Sequence, residues 1–248
     1  LFLATDGSAP DNEPIGTFGW VLATSDTILL SGFGPTHGQP PSSFRSEAVG
    51  LLAGILAYAA VIGFVGASNP PQLECYLDSA SVHDRLLAII QHPVTLSLAR
   101  SADSDALMTL RDHWSSRTYG GSINWIRGHQ DSRGPKQQQL SWPAQLNIRA
   151  DTLATQGRRH YKRFPPPAFV PFPASSITLF HNNIPRCSKY TQLLRWHQAD
   201  NRFHTYLCAR LGLPAPRHRS IDWEAYESAR SKATLPLLRF STKTLIGW

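Results

Sequence analysis

Two short apolar runs, each ending in an aspartate, constrain this chain more than any other feature. Leu1, Phe2, Leu3 and Ala4 form a nearly continuous hydrophobic stretch that stops at Thr5-Asp6-Gly7-Ser8. A second run, Leu73-Glu74-Cys75-Tyr76-Leu77, stops at Asp78-Ser79. Runs of this kind suit central strands buried on both faces better than alternating edge strands. Ligands of open α/β sheets gather at the carboxyl ends of such strands. Two of them, each delivering an aspartate at its tip, predict a carboxylate pair at one end of a sheet.

The remaining pattern supplies that sheet. Gly16–Ala23 and Thr27–Phe33 read as two strands joined by a tight turn at Ser25-Asp26, making an antiparallel meander with the first run. The Pro/Gly/Ser-rich loop 34–43 ends the meander, and its last serines can cap a helix. From Ala48 to Ala67 that helix carries no charge and has the length of a membrane span. A span there would put Asp6 and Asp78 on opposite sides of a bilayer, so a core helix ended by Gly63 is expected, with no membrane partner. Glu47 would sit in its first turn, where the helix dipole favours an anion. Helices are predicted from about Ser79 to Gln91 and from Asp103 to Trp114, and Ser122–Arg127 is a fifth strand. The loop Gly128-His129-Gln130-Asp131-Ser132 follows it. After a polar insertion, Arg133–Leu146, a helix is expected from about Asn147, acting as its cap, and it holds Asp151. The order β-β-β-α-β-α-α-β-α predicts an α/β fold, a mixed five-stranded sheet flanked by helices.

Charge divides the chain. Residues 1–157 hold 9 lysines and arginines against 13 acids, whereas 158–248 hold 15 against 4. The division suggests three parts: a first domain over 1–157, a Pro-rich basic linker over 158–185, and a basic helical tail over 186–248. Arg158, Arg159, Lys162 and Arg163 open the basic part and are expected to contact a polyanion. Three cysteines in 248 residues make no disulfide framework and predict a reducing, intracellular compartment. Leu1 is not an initiator, since Met108 is the only methionine, and the chain is expected to be a piece of something longer. Cys187, His197, His204 and Cys208 lack the tight paired spacing of a zinc module, so packing is the default for them.

Four acids thus fall at element ends: Asp6, Glu47, Asp78 and Asp151. Two carboxylates about 4 Å apart repel by about 4 kcal/mol at an effective dielectric constant of about 20. Four converging would need cations, and Mg²⁺ is the natural hard partner for oxygen ligands. Two such ions about 3.5–4 Å apart are a standard device for in-line attack on a phosphodiester.

Taken together, Thr5-Asp6-Gly7-Ser8, Phe18-Gly19-Trp20, Arg45-Ser46-Glu47, Leu77-Asp78-Ser79, Trp125-Ile126-Arg127-Gly128-His129 and Asn147 four residues before Asp151 resemble, in this order, the type 1 RNase H domain of retroelement (retrotransposon) reverse transcriptase polyproteins. The resemblance covers 1–156. It implies an RNase H-like fold and a hydrolase, an endonuclease that cleaves the RNA strand of RNA–DNA hybrids. It implies two Mg²⁺ ions, with Mn²⁺ as substitute, and no small-molecule cofactor. Asp6 would bridge both metals, Asp78 and Asp151 would complete their coordination, Glu47 would hold one metal's water, and His129 would move protons or help the product leave. Gly7, Ser8, Arg45 and Ser79 would contact the nucleic acid, and the polymerase part of the same polyprotein is the expected protein partner. In two places the chain departs from the family. Ser43 and Phe44 stand where two polar amides are common, and no lysine-rich handle lies in His92–Trp114, so the tail is expected to supply the grip. A non-catalytic nucleic-acid-binding module would lack a carboxylate. A DNA strand transferase (integrase or transposase) would not need Glu47 or the Gly-His loop.

Overall fold

The first apolar run becomes the centre of a sheet. The computed structural model describes residues 1–10, 13, 15–92, 101–130, 140–172, 179–181 and 184–188, with isolated positions at 192, 195, 198, 199, 202 and 205. β1 (Phe2–Ser8) lies between β2 (Gly16–Ala23) and β4 (Leu73–Leu77), with β3 (Ile28–Thr36) and β5 (Gly121–Trp125) at the edges. β1–β2–β3 are antiparallel, and β4 and β5 continue in parallel with β1. The turn between β2 and β3 is closed by the Thr24 N–H donating to Thr27 O at 2.8 Å.

Helices cover both faces. α1 (Ser43–Val65), α2 (Ala80–Gln91) and α3 (Ser104–Ser115) share a core with Leu3, Leu22, Leu73, Cys75 and Leu77. On the opposite face α4 (Trp142–Tyr161) packs Leu146, Ala150 and Leu153 onto Ala4, Val21 and Ala23. Leu3 and Ala4, adjacent in sequence, are both fully buried on opposite sides of the sheet, as a two-sided central strand requires. The mixed five-stranded sheet flanked by helices expected from the sequence is therefore present.

Boundaries shift where local chemistry overrides pattern. α1 starts at Ser43, with the Ser42 hydroxyl accepting from Arg45 N at 3.1 Å, so Glu47 falls beyond the first turn rather than in it. The helix runs through Gly63 and ends at Gly66, whose φ of 66° is the left-handed conformation that closes a helix, with its N–H on Ile62 O at 3.0 Å. By length and composition alone α1 could cross a membrane; here its buried positions, from Arg45 to Tyr58, face protein. α4 begins five residues before Asn147, with Ser141 as cap and a proline in its first turn. Asn147 therefore caps nothing.

The Pro-rich stretch beginning at 158 starts inside α4, which continues unbroken to Tyr161. Beyond the helix the chain returns to the loop before α1. Phe169 meets the His37 ring at 5.8 Å, and Phe172 lies 5.5 Å from the Arg45 guanidinium. The Gln39 N–H donates to Pro185 O at 2.9 Å, the Cys187 N–H to Gln39 O at 3.1 Å, and the Asp103 N–H to Cys187 O at 2.9 Å. Nearby, β6 (Leu179–His181) and β7 (Ile184–Arg186) form a small hairpin. Proline keeps such a segment extended, but its rings and free backbone groups bind a loop that offers both. Leu1–Tyr190 form one compact unit and Thr191–Trp248 a second, whose described positions from 192 to 205 are helical.

Candidate metal and catalytic site

Three elements end at one point. β1 brings Asp6, α1 brings Glu47 and the tip of β4 brings Asp78, and one carboxylate oxygen from each lies within 4.8 Å of the others. The Gly7 N–H donates to Glu47 Oε1 at 2.9 Å. A Cβ added to Gly7 would stand 2.4 Å from the backbone nitrogen of Glu47, so only glycine permits this approach of helix to strand.

Burial and like charge make the cluster costly without a cation. Asp6 is 6% exposed and Glu47 4%. Burial, then the charge of Asp78, pushes the Asp6 carboxyl up to about 7, although a hydrogen bond with Glu47 opposes the shift. Burial, then Asp6 and Asp78, raises Glu47 well above the usual range. Asp78 is raised by burial, with Glu47 and His129 opposing. Glu47 Oε2 is buried and has no hydrogen-bond partner among the described residues. An unmet buried oxygen inside an all-carboxylate donor set is compatible with a divalent cation, which would repay the desolvation.

Asp151 stands one turn beyond Asn147 on α4. Asn147, 3% exposed, donates Nδ2 to Thr5 O at 3.2 Å and so pins α4 to the strand just before Asp6. The charge of Asp151 reaches both Asp6 and Asp78, raising each, but its oxygens lie outside the tight group of three.

On the other flank, β5 holds Asp78. The Ile126 N–H donates to Leu77 O at 3.0 Å, and the Trp125 indole donates Nε1 to Asp78 O at 2.9 Å. A Cβ on Gly128 would fall 2.3 Å from Asp78 Oδ2. His129 follows on an exposed loop with φ of 50°. Its charged form is near enough to Asp78 to oppose that carboxyl's upward shift.

No family model matches the chain, and no match was found among the curated proteins. Solved structures do align with it. RNase H1 from Halobacterium salinarum is 19% identical, with a TM-score of 0.42 over 64% of this chain and 97% of that one. LC11-RNase H1, isolated from compost by metagenomics and solved in complex with an RNA/DNA hybrid, is 15% identical, with a TM-score of 0.46 over 65% and 98%. Prototype foamy virus protease-reverse transcriptase is 20% identical, with a TM-score of 0.44 over 63% of this chain and 20% of that one. The strand order of this chain is β3-β2-β1-β4-β5, with one helix on one face and three on the other.

On this sheet the residues expected to touch nucleic acid separate. Arg45 is 1% exposed, and its guanidinium is spent on Asp105 (2.7 and 2.8 Å), Asp103 (3.4 Å) and His37 O (2.6 Å). It anchors the start of α1 and cannot reach a phosphate, which corrects the reading of Arg45 as a nucleic-acid contact. Gly7 serves the approach of α1. Ser79 caps α2, its hydroxyl accepting from Val82 N at 3.4 Å, and Ser8 is half-exposed at the end of β1. Arg158 and Lys162 pair with Glu13 at 4.0 and 2.7 Å, while Arg159 and Arg163 are exposed. Cys187 is buried against Gly38, beside Arg45, while His197, His204 and Cys208 lie outside the described residues.

Sequence reasoning missed the supports: Asn147 under β1, Trp125 beside Asp78, and the acids that hold Arg45. Only Trp125 carried a local signal, an aromatic residue on a strand immediately before the Gly-His loop.

Proposed function

We propose that this protein is a ribonuclease H, an endoribonuclease that hydrolyses the RNA strand of RNA–DNA hybrids within a retroelement polyprotein, beside a polymerase part. The observation that carries the reading is the convergence of Asp6, Glu47 and Asp78 within 4.8 Å at the tip of a sheet, with Asp151 close enough to feel their charge. Its residues divide the work. Asp6 feels the other three acids and would hold two Mg²⁺ ions in common, Asp78 and Asp151 would each hold one, and Glu47 would use its unmet Oε2. Bound Mg²⁺, or Mn²⁺ in its place, supplies a water of lowered pKa and neutralises the charge that builds on the phosphate. Trp125 holds the Asp78 main chain, Gly128 leaves room for its carboxylate, and Asn147 holds the strand below Asp6. His129, exposed on its loop beside Asp78, would carry protons to or from the leaving oxygen. Arg159 and Arg163, exposed at the end of α4, would contact phosphate.

The test is cleavage of three matched duplexes in millimolar Mg²⁺: hybrid, double-stranded RNA and double-stranded DNA. Selective loss of the RNA strand of the hybrid is expected. Cleavage of all three, or DNA-strand joining, would replace the proposal with a less selective nuclease or a transferase.

A further inference from the structure

The end of α4 carries rings as well as charge. Phe33, on the edge strand β3, faces His160 at 5.8 Å and Tyr161 at 6.4 Å between ring centres, and His160 meets Phe164 at 4.9 Å. Phe33 is 37% exposed and Phe164 56%. Cationic residues in a last turn complement a helix dipole and need no other reason. Exposed aromatic side chains gain nothing from the dipole, and Arg159 and Arg163, their exposed neighbours along the chain, have no carboxylate partner among the described residues.

The position of this surface follows from strand register. Phe33 pairs with Gly19, and Gly19 pairs with Asp6, so Phe33 sits two strands from the acid, about 10 Å between main chains, with α4 packed on Gly19 between them. In a duplex each base already has its faces covered by its neighbours. Rings that stack, flanked by arginines that reach phosphate, suit bases with a free face.

We propose that Phe33, His160 and Phe164, flanked by Arg159 and Arg163, form a shelf that binds single-stranded nucleic acid. The strand is the unpaired one that flanks the duplex at the acidic cluster. The adjacency to the acids gains its meaning from the proposed nuclease activity; the binding itself does not depend on it.

The experiment measures fluorescence anisotropy with the full chain in metal-free buffer, using a labelled single-stranded oligonucleotide and a blunt hybrid of equal length. Phe164→Ala is expected to weaken single-strand binding about ten-fold, the value of one stacked base, and to change blunt-hybrid binding less than about two-fold. Arg159→Ala with Arg163→Ala is expected to reduce the salt slope for the single strand by about 1.4. Circular dichroism of each variant separates lost contacts from lost folding. Equal losses on both probes would make the patch a duplex contact, and no loss on either would make it packing and dipole compensation; each overturns the shelf. If cleavage of hybrids fails while the shelf binds, the enzymatic reading falls and the shelf stands.

Discussion

The main-chain N–H of Gly7 and Glu47 Oε1 lie 2.9 Å apart, so the residue after Asp6 is tied directly to the acid on α1. Helix and strand touch here backbone to backbone, which makes the site sensitive to one methyl group. Gly7→Ala is expected to push α1 away, cost about 1–3 kcal/mol in urea denaturation, and weaken metal binding more than any loop substitution. Normal stability and normal metal affinity in this variant would mean that α1 can shift without disturbing Glu47.

The raised carboxyls fix the sign of a pH dependence. Asp6, Glu47 and Asp78 all have folded-state pKa values above their ordinary ones, so the folded protein binds more protons than the unfolded chain between about pH 4 and 7. The contribution of these three acids to the stability of the metal-free protein is therefore full below the ordinary carboxylate range and is lost as pH rises through about 7. Mg²⁺ is expected to reverse the trend by binding the ionised cluster, adding about 2.7 kcal/mol at a concentration one hundred times its dissociation constant. Asp78→Asn is expected to be neutral or stabilising in the metal-free state, because it removes a repulsive charge. Thermal melts from pH 4 to 8, with and without Mg²⁺, check all three outcomes.

His129→Ala is expected to slow cleavage while leaving metal binding and hybrid affinity near those of the unaltered protein. The side chain is exposed on a loop, and its charge acts on Asp78. Single-turnover rates against hybrid concentration separate a slower step from weaker binding. A collapse of metal affinity would make the histidine a ligand instead.

Arg45 leads to a prediction about the chain beyond α4. Its guanidinium bridges Asp105 and Asp103, and Phe172 and Cys187 cover it from the returning segment. Arg45→Met leaves buried Asp103 and part-buried Asp105 without their cation and is expected to cost about 3–5 kcal/mol. Ending the chain after Phe164 exposes the same ion pairs to water and frees Gln39, lowering the melting temperature by several degrees and weakening Mg²⁺ binding through α1. Ending it after Tyr190 retains both properties. Identical melts for the two truncations would remove the returning segment from any part in the site.

Much of this was legible in the sequence because the chemistry is local. A strand that ends in Asp-Gly-Ser reveals both its burial and its acid, and so does one that ends in Asp-Ser. Glu47 was legible from the serines that cap its helix. What escaped was carried by distant partners or masked by composition. Arg45 reads as a free cation until Asp103 and Asp105, nearly 60 residues away, are folded beside it. Asn147 reads as a cap because the polar insertion before it hides the Ser141-Trp142-Pro143 start, and Gly63 reads as a stop although the helix needs a left-handed residue only at Gly66. Proline-rich sequence after Gly157 reads as a linker, since nothing in its pattern names the loop it packs on.

The central claim is that the acids at the sheet tip cleave the RNA strand of a hybrid, and one measurement reaches it directly. A hybrid labelled on either strand is incubated with the unaltered protein or with Asp6→Asn, with and without Mg²⁺, after circular dichroism has shown both proteins folded. Cuts confined to the RNA strand, dependent on Mg²⁺ and reduced to background by Asp6→Asn, are the predicted result. Cleavage that survives Asp6→Asn or persists in chelator would contradict the account.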